Sequence, residues 1–325
     1  MSGAGDASLV PVRTPDRPGP GPTPEALLRA LDVVVRRRVE AILAGDYRSN
    51  SVGIGTELAQ IRPYQPGDDV RRIDWNVTAR TDEPHVRDQV AERALVSWLV
   101  LDTSPSMCFG TAERRKADVA EGVALAVGHL ATRRGNRLGI TTFGDDHPAS
   151  IPPRQGRVGL MGLLTSLRRE PQLEGAGATS LGEALARTGR LAHSRSLIFV
   201  VSDFRGPRDW RPAALSLAGR HDLIAVEIRD QREQELPDVG ELWLVDPETG
   251  RHLRVDTGQR KLRERFNASA EAERAELVAE LRRCGADHVV LWTEGDWLRT
   301  FAGFLRNRIV GPSSSASRGA GRGWR

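Results

Sequence analysis

Apolar residues follow two different rhythms along this chain, and the change falls near residue 94. Residues 1–23 are rich in Pro, Gly and Ser, have no periodicity, and are expected to be disordered. The next stretch, PEALLRALDVVVRRRVEAILA (24–44), repeats apolar positions at helical spacing behind a Thr-Pro start and predicts a helix. Residues 50–93 alternate in short runs around a Pro-Gly-Asp-Asp turn, which predicts a small β-rich unit with a helical turn near Trp75. Helix and β-rich unit together make an N-terminal elaboration over 24–93.

Beyond it the pattern becomes strand, helix, strand. ALVSWLVLD, RLGITTFG, SLIFVVSDF, DLIAVEIRD and DHVVLWTE read as short buried strands, with an edge hairpin partner near ASIPP. Helices are expected at about 113–133, 157–169, 181–192, 210–219, 258–284 and 296–308, and a hairpin across LWLVDPETGRHLRVD. The long helix at 258–284 reads as a solvated amphipathic element. Short apolar strands separated by helices imply an α/β fold, a doubly wound, mostly parallel sheet with helices on both faces, over 94–310. The tail GPSSSASRGAGRGWR (311–325) is expected to be disordered.

Composition narrows the function classes. With 28% charged and 39% hydrophobic residues in 325, the chain can bury a sizeable core. No segment reaches the length of apolar chain that spans a bilayer, and the N-terminus lacks the apolar region of a secretory signal. Cys108 and Cys284 stand far apart, which implies a reducing compartment and a cytoplasmic protein. Cys108 is expected to act as a small buried hydrophobe. The pI near 9.6 raises the question of nucleic acid, but the net charge is only +4, acids are interspersed throughout, and no basic stripe accompanies it.

The chemistry gathers at strand ends. In an open parallel sheet, ligands bind outside the carboxyl ends of the strands. Asp102 closes the first buried strand, and Ser104 and Ser106 follow at alternate positions. Asp203 closes a second such strand. Thr179 lies in EGAGATSL, just before a helix starting at Ser180 or Leu181. Two carboxylates and three hydroxyls, without His or Cys, are hard oxygen donors suited to Mg²⁺ or Mn²⁺. The competing account is a helix N-cap, with Asp102 or Ser104 satisfying orphan amide donors.

The strings DTSPSM, GATSL and VSDF, in that order, resemble the metal-ion-dependent adhesion site of von Willebrand factor type A domains. IRPYQPGDDVRRIDWNVTAR and RHDLIAVEIRDQREQELPDVGELWLVDPETG resemble the DUF58 family, in which the first segment precedes a von Willebrand A-like domain. The resemblance covers about residues 25–310 and matches Asp102, Ser104, Ser106, Thr179 and Asp203 to the metal-site positions. It departs from many such domains at Phe204, where Gly commonly follows the Asp. It implies a protein–protein interaction module, not an enzyme, in which an acidic side chain of a partner completes the ion's coordination. It also implies an adaptor role with a MoxR-type AAA+ ATPase in chaperone-like assembly or maturation of client complexes.

Other chemistries fare less well. Neither GxxxxGK[ST] nor GxSxG occurs, and no two His residues have metal-ligand spacing. A metal-dependent, phosphatase-like hydrolase is the alternative, but Ser104 stands where a second acid would be wanted. In PYQPGDDVRRIDW, Asp68, Asp69, Arg71, Arg72 and Asp74 are either a partner-facing patch or a turn held by local ion pairs with Trp75 packed inward. The second reading is preferred.

Overall fold

The computed structural model describes residues 19–21, 57–90, 96–131, 136–145, 147–155, 180–245 and 252–310. The helices expected at 24–44 and 157–169, Thr179, the C-terminal tail and all of the N-terminal tail except residues 19–21 lie outside the described residues. The chain divides into two compact units, residues 36–94 and the remainder.

In the smaller unit β1 (Glu57–Pro63) pairs antiparallel with β2 (His85–Val90), with a bulge between Leu58 and Gln60. The polar run between them is locally tied. Arg62 grips Asp68 through two bonds of 2.7 and 2.8 Å, which hold that carboxyl down to about 2. Asp69 caps the 3-10 turn Val70–Arg72 by accepting from the Arg71 N–H. Asp74 caps α1 (Trp75–Thr81), accepting from the N–H groups of Asn76 and Val77 at 3.0 and 3.3 Å. The expected ion-paired turn is present, but Trp75 is not packed inward: it is 71% exposed. Its neighbour Asp74 takes the buried position, because the cap must face the helix's first amides and the next residue is carried out to solvent.

The larger unit contains β3 (Val96–Asp102), α2 (Lys116–Ala131), β4 (Arg137–Phe143), β5 (Ser150–Gln155), α3 (Leu181–Leu191), β6 (Leu197–Ser202), α4 (Arg211–Ala218) and β7 (Asp222–Arg229). These are followed by the hairpin β8 (Glu241–Val245) and β9 (His252–Asp256), then α5 (Arg260–Arg283), β10 (Asp287–Trp292) and α6 (Trp297–Val310). The main sheet runs β10-β7-β6-β3-β4-β5, parallel except for β5. The chain winds outward from β3 through β4, then returns to β6 on β3's other side. That reversal makes the boundary between β3 and β6 the topological switch point.

The period-2 alternation of strands sorts residues into two cores. Trp98, Val100, Ile198, Val200, Leu223 and Ala225 pack against Leu181, Leu185, Leu217, Leu277 and Leu281 of α3, α4 and α5. The intervening Leu99, Leu101, Phe199 and Val201 are equally buried on the other face, where Phe199 meets Phe301 of α6 edge-on at 6.2 Å. Each such side chain contributes about 1.5–3 kcal/mol, so burial on both faces explains why these strands are continuous apolar runs. Gly139 of β4 lies under the Trp98 ring, where a Cβ would come within 2.7 Å of a ring carbon. At the sheet margin, β5 bulges: Leu138 pairs with Arg154 and Ile140 with Ile151, so Pro152 and Pro153 together face Gly139. The solvated character expected of α5 holds, with only Leu277, Glu280 and Leu281 buried.

Candidate functional site

Of the strands that border the switch point, β3 ends in an aspartate and β6 is followed by one, and the two carboxylates live under different conditions. Asp102 is the last residue of β3. Its Oδ1 accepts the Ser104 N–H at 2.9 Å, and its Oδ2 accepts the Ser202 hydroxyl at 2.5 Å. Burial, and then the charge of Asp203, push Asp102 up to about 7 against the pull of these bonds. A carboxyl destabilised in this way favours a proton or a cation beside it.

The hydroxyls of Ser104 and Ser106 converge, their oxygens 3.0 Å apart. Ser104 is the N-cap residue of the 3-10 turn Pro105–Cys108, yet its side chain makes no capping bond. The helix-cap account therefore fails for Ser104. Cys108, at the end of this turn, is half-buried instead of buried, because the turn lies beyond the carboxyl end of β3.

Asp203 follows β6. Burial alone would raise it, but Lys116 holds it below the usual carboxylate range, helped by the Arg205 N–H and the Ser106 hydroxyl. The Lys116 Nζ donates to Asp203 Oδ2 at 2.6 Å and to Glu233 Oε1 at 2.7 Å. Burial opposes the ammonium charge, yet these two carboxylates keep Lys116 above its ordinary value. Phe204 has φ 55°, the left-handed region where glycine is at ease. The departure from Gly thus leaves the loop's backbone shape intact. Phe204 is retained there by its N–H, donated to Ser202 Oγ at 2.9 Å, and by an edge-on contact with Trp210 at 6.1 Å.

Gly144, just past β4, has φ 89°, and a Cβ on it would lie 2.8 Å from the Ser104 backbone nitrogen and 2.9 Å from Asp102 Oδ1. Only glycine lets this loop approach the serines so closely. The cleft above these residues has a volume of about 300 Å³, with Phe143, Leu181, Phe204 and Trp210 among the apolar groups beside the oxygens.

The structure thus brings Asp102, Ser104, Ser106 and Asp203 to one cleft; Thr179 is outside the described residues, though Ser180 caps α3 at the cleft's wall through the Glu183 N–H. Among the described residues no three His, Cys, Asp or Glu side chains gather to hold a metal. Any ion here would rely on hydroxyls for the rest of its donors, and the all-oxygen set with a charge-starved Asp102 fits a hard divalent cation. Sequence reasoning missed Ser202, hidden at the end of an apolar strand. It also missed Lys116, which reads as one more surface cation in ERRKADV, its partner Glu233, and Gly144, which FGDD would have flagged as a turn.

An uncharacterized protein of Mycobacterium tuberculosis is 38% identical over 288 residues, 88% of this chain and 90% of its own length. Another, of Mycobacterium avium, is 33% identical over 163 residues, covering 50% of this chain and 95% of its own. Among solved structures, the conserved hypothetical protein BatB of Bacteroides thetaiotaomicron is 13% identical with a TM-score of 0.41, over 67% of this chain and 99% of its own. The fold assignment rests on the strand order above. Among the described residues no helix is long and apolar enough to cross a membrane. The model of the family "Protein of unknown function DUF58" matches residues 60–276, so this chain belongs to the DUF58 family.

Proposed function

We propose that the chain is an adaptor-type protein-interaction module whose docking point is a divalent-cation site at the switch point. Asp102, Ser104, Ser106 and Asp203 would hold Mg²⁺ or Mn²⁺, with Thr179 as a further ligand on the strength of the family resemblance. The observation that carries the reading is Asp102: a buried carboxylate pushed up to about 7 beside two converging hydroxyls, of which that of Ser104 makes no capping bond. When bound, such an ion supplies an open Lewis-acidic position for a partner's Asp or Glu. The chain's own part is to preorganise. Ser202 and the Ser104 amide orient Asp102, Gly144 admits the loop, and the apolar wall limits water around an incoming carboxylate.

In this reading the chain is not an enzyme, and the Ser104 hydroxyl has Ser106 as its neighbour instead of a base. A MoxR-type AAA+ ATPase is the partner the resemblance favours, with client complexes assembled or matured by the pair. The test is binding of that ATPase to the full chain with Mg²⁺, with EDTA, and with Thr179→Ala. Chelation and the substitution should each weaken binding at least about tenfold, as loss of a charge-assisted contact does. Equal affinity in all three would move the docking point away from this cleft.

A further inference from the structure

The chain has two lysines, Lys116 and Lys261, against a background of arginine. Lys116 has no solvent exposure at all, a rare state for lysine. It extends from the first residue of α2 to the base of the cleft and sits between Asp203 and Glu233, with the Phe109 ring 5.8 Å from its nitrogen. A compact ammonium suits this enclosed place, where the planar fork of arginine would need more room. Its partners matter more than its burial. Asp203 Oδ2 is committed to the ammonium, and Oδ1 already accepts the Arg205 N–H at 3.1 Å. One of the two carboxylates in the cleft is therefore largely neutralised from below. Glu233, half-buried, draws part of the ammonium's charge back.

We infer that Lys116 is the residue that sets the cleft's affinity for a divalent cation, holding it low by opposing Asp203, with Glu233 acting as the counterweight. This rests on the cation reading of the cleft proposed above. An ammonium within hydrogen-bonding distance of one carboxylate repels an incoming dication, and the repulsion is only weakly screened in a buried site. The consequence is an ion whose charge the protein only partly cancels, and which therefore depends on an acidic partner to be held well. Loading and partner binding are then coupled: each strengthens the other by the same factor.

The experiment is calorimetric titration of Mg²⁺, repeated with Mn²⁺, into the full chain and three variants, alongside the rise in melting temperature each ion produces. Lys116→Gln keeps a hydrogen-bonding side chain without the charge and should bind the ion about tenfold tighter, or more, with a larger thermal shift than wild type. Glu233→Gln leaves the ammonium wholly to Asp203 and should bind several-fold weaker. Asp102→Ala should abolish binding. If wild type binds, Asp102→Ala does not, and Lys116→Gln is equal or weaker, the role given to Lys116 is wrong while the cation site stands. If wild type and Asp102→Ala are alike in taking no ion, the cation site itself falls, and the inference with it. Should Lys116→Gln not fold, the Glu233→Gln arm decides, since unchanged or tighter binding there overturns the proposal.

Discussion

Asp102 ends one buried parallel strand and Asp230 follows another in the same sheet, and they are opposites. Asp230, just past β7, is fully buried, yet it accepts the Thr111 amide at 2.8 Å, the Thr111 hydroxyl at 2.6 Å, the Thr293 hydroxyl at 2.7 Å and the Arg232 amide at 3.0 Å. Burial pushes this carboxyl up, but the Thr111 and Thr293 bonds more than reverse it, and it ends below the usual range. Asp102 has its neighbours' bonds too, but they do not offset its burial and, after that, the nearby Asp203, and it ends near 7. Burial alone does not mark a binding carboxylate. What separates the two is whether the fold has already supplied everything the charge needs. Asp230 is a staple between the loop after β3 and the ends of β7 and β10, and Asp102 is left wanting.

Three experiments should widen or collapse this contrast. The largest effect belongs to Asp230→Ala, which strands several buried donors and should cost about 3–5 kcal/mol in denaturant unfolding. A loss under about 1 kcal/mol would mean the staple carries little. Next comes the pH response of the metal-free protein. A carboxyl whose folded pKa is raised contributes stability that is complete below its unfolded value and is lost as pH climbs through the folded one. For Asp102 that window runs from 3.8 to about 7. Wild type should therefore gain on Asp102→Asn by about 2–4 kcal/mol as pH falls from ~8 to ~4. For Asp230 the folded pKa is lowered, so wild type should lose ground to Asp230→Asn as pH falls through the acid range. Parallel curves for the two pairs would erase the distinction. The smallest effect is Gly144→Ala, in which the new Cβ meets the Ser104 backbone and strains a positive φ. It should cost about 1–3 kcal/mol and weaken Mg²⁺ binding by calorimetry, while amide exchange near Thr293, beside Asp230, should stay as in wild type.

Much of this was legible in the sequence for one reason: strands buried on both faces are apolar throughout, so an Asp that stops such a run stands out. That pattern located Asp102 and Asp203 and bounded the parallel strands of the main sheet to within a few residues, whereas the exposed β5 was read only as a hairpin partner. Lys116 escaped because its partners, Asp203 and Glu233, lie 87 and 117 residues away, and no local rhythm records such pairings. Trp75 was misread on the rule that large aromatics go inside. Here the helix cap decides the orientation, and Asp74 occupies the inner place. Ser202 was lost for the converse reason, a hydroxyl hidden among the valines whose strand it ends.

The bulge in β5 has a bearing on how the protein behaves in a crowded solution. A sheet's outermost strand is a standing invitation to stray extended peptide, and repeated acceptance of that invitation is how fibrils grow. Pro152 and Pro153 remove two consecutive N–H donors, and the extra residue they insert opposite Gly139 turns the strand out of line. A visiting chain would meet an interrupted ladder on a curved rail. This margin of the sheet is thereby a poor template for a strand from another molecule.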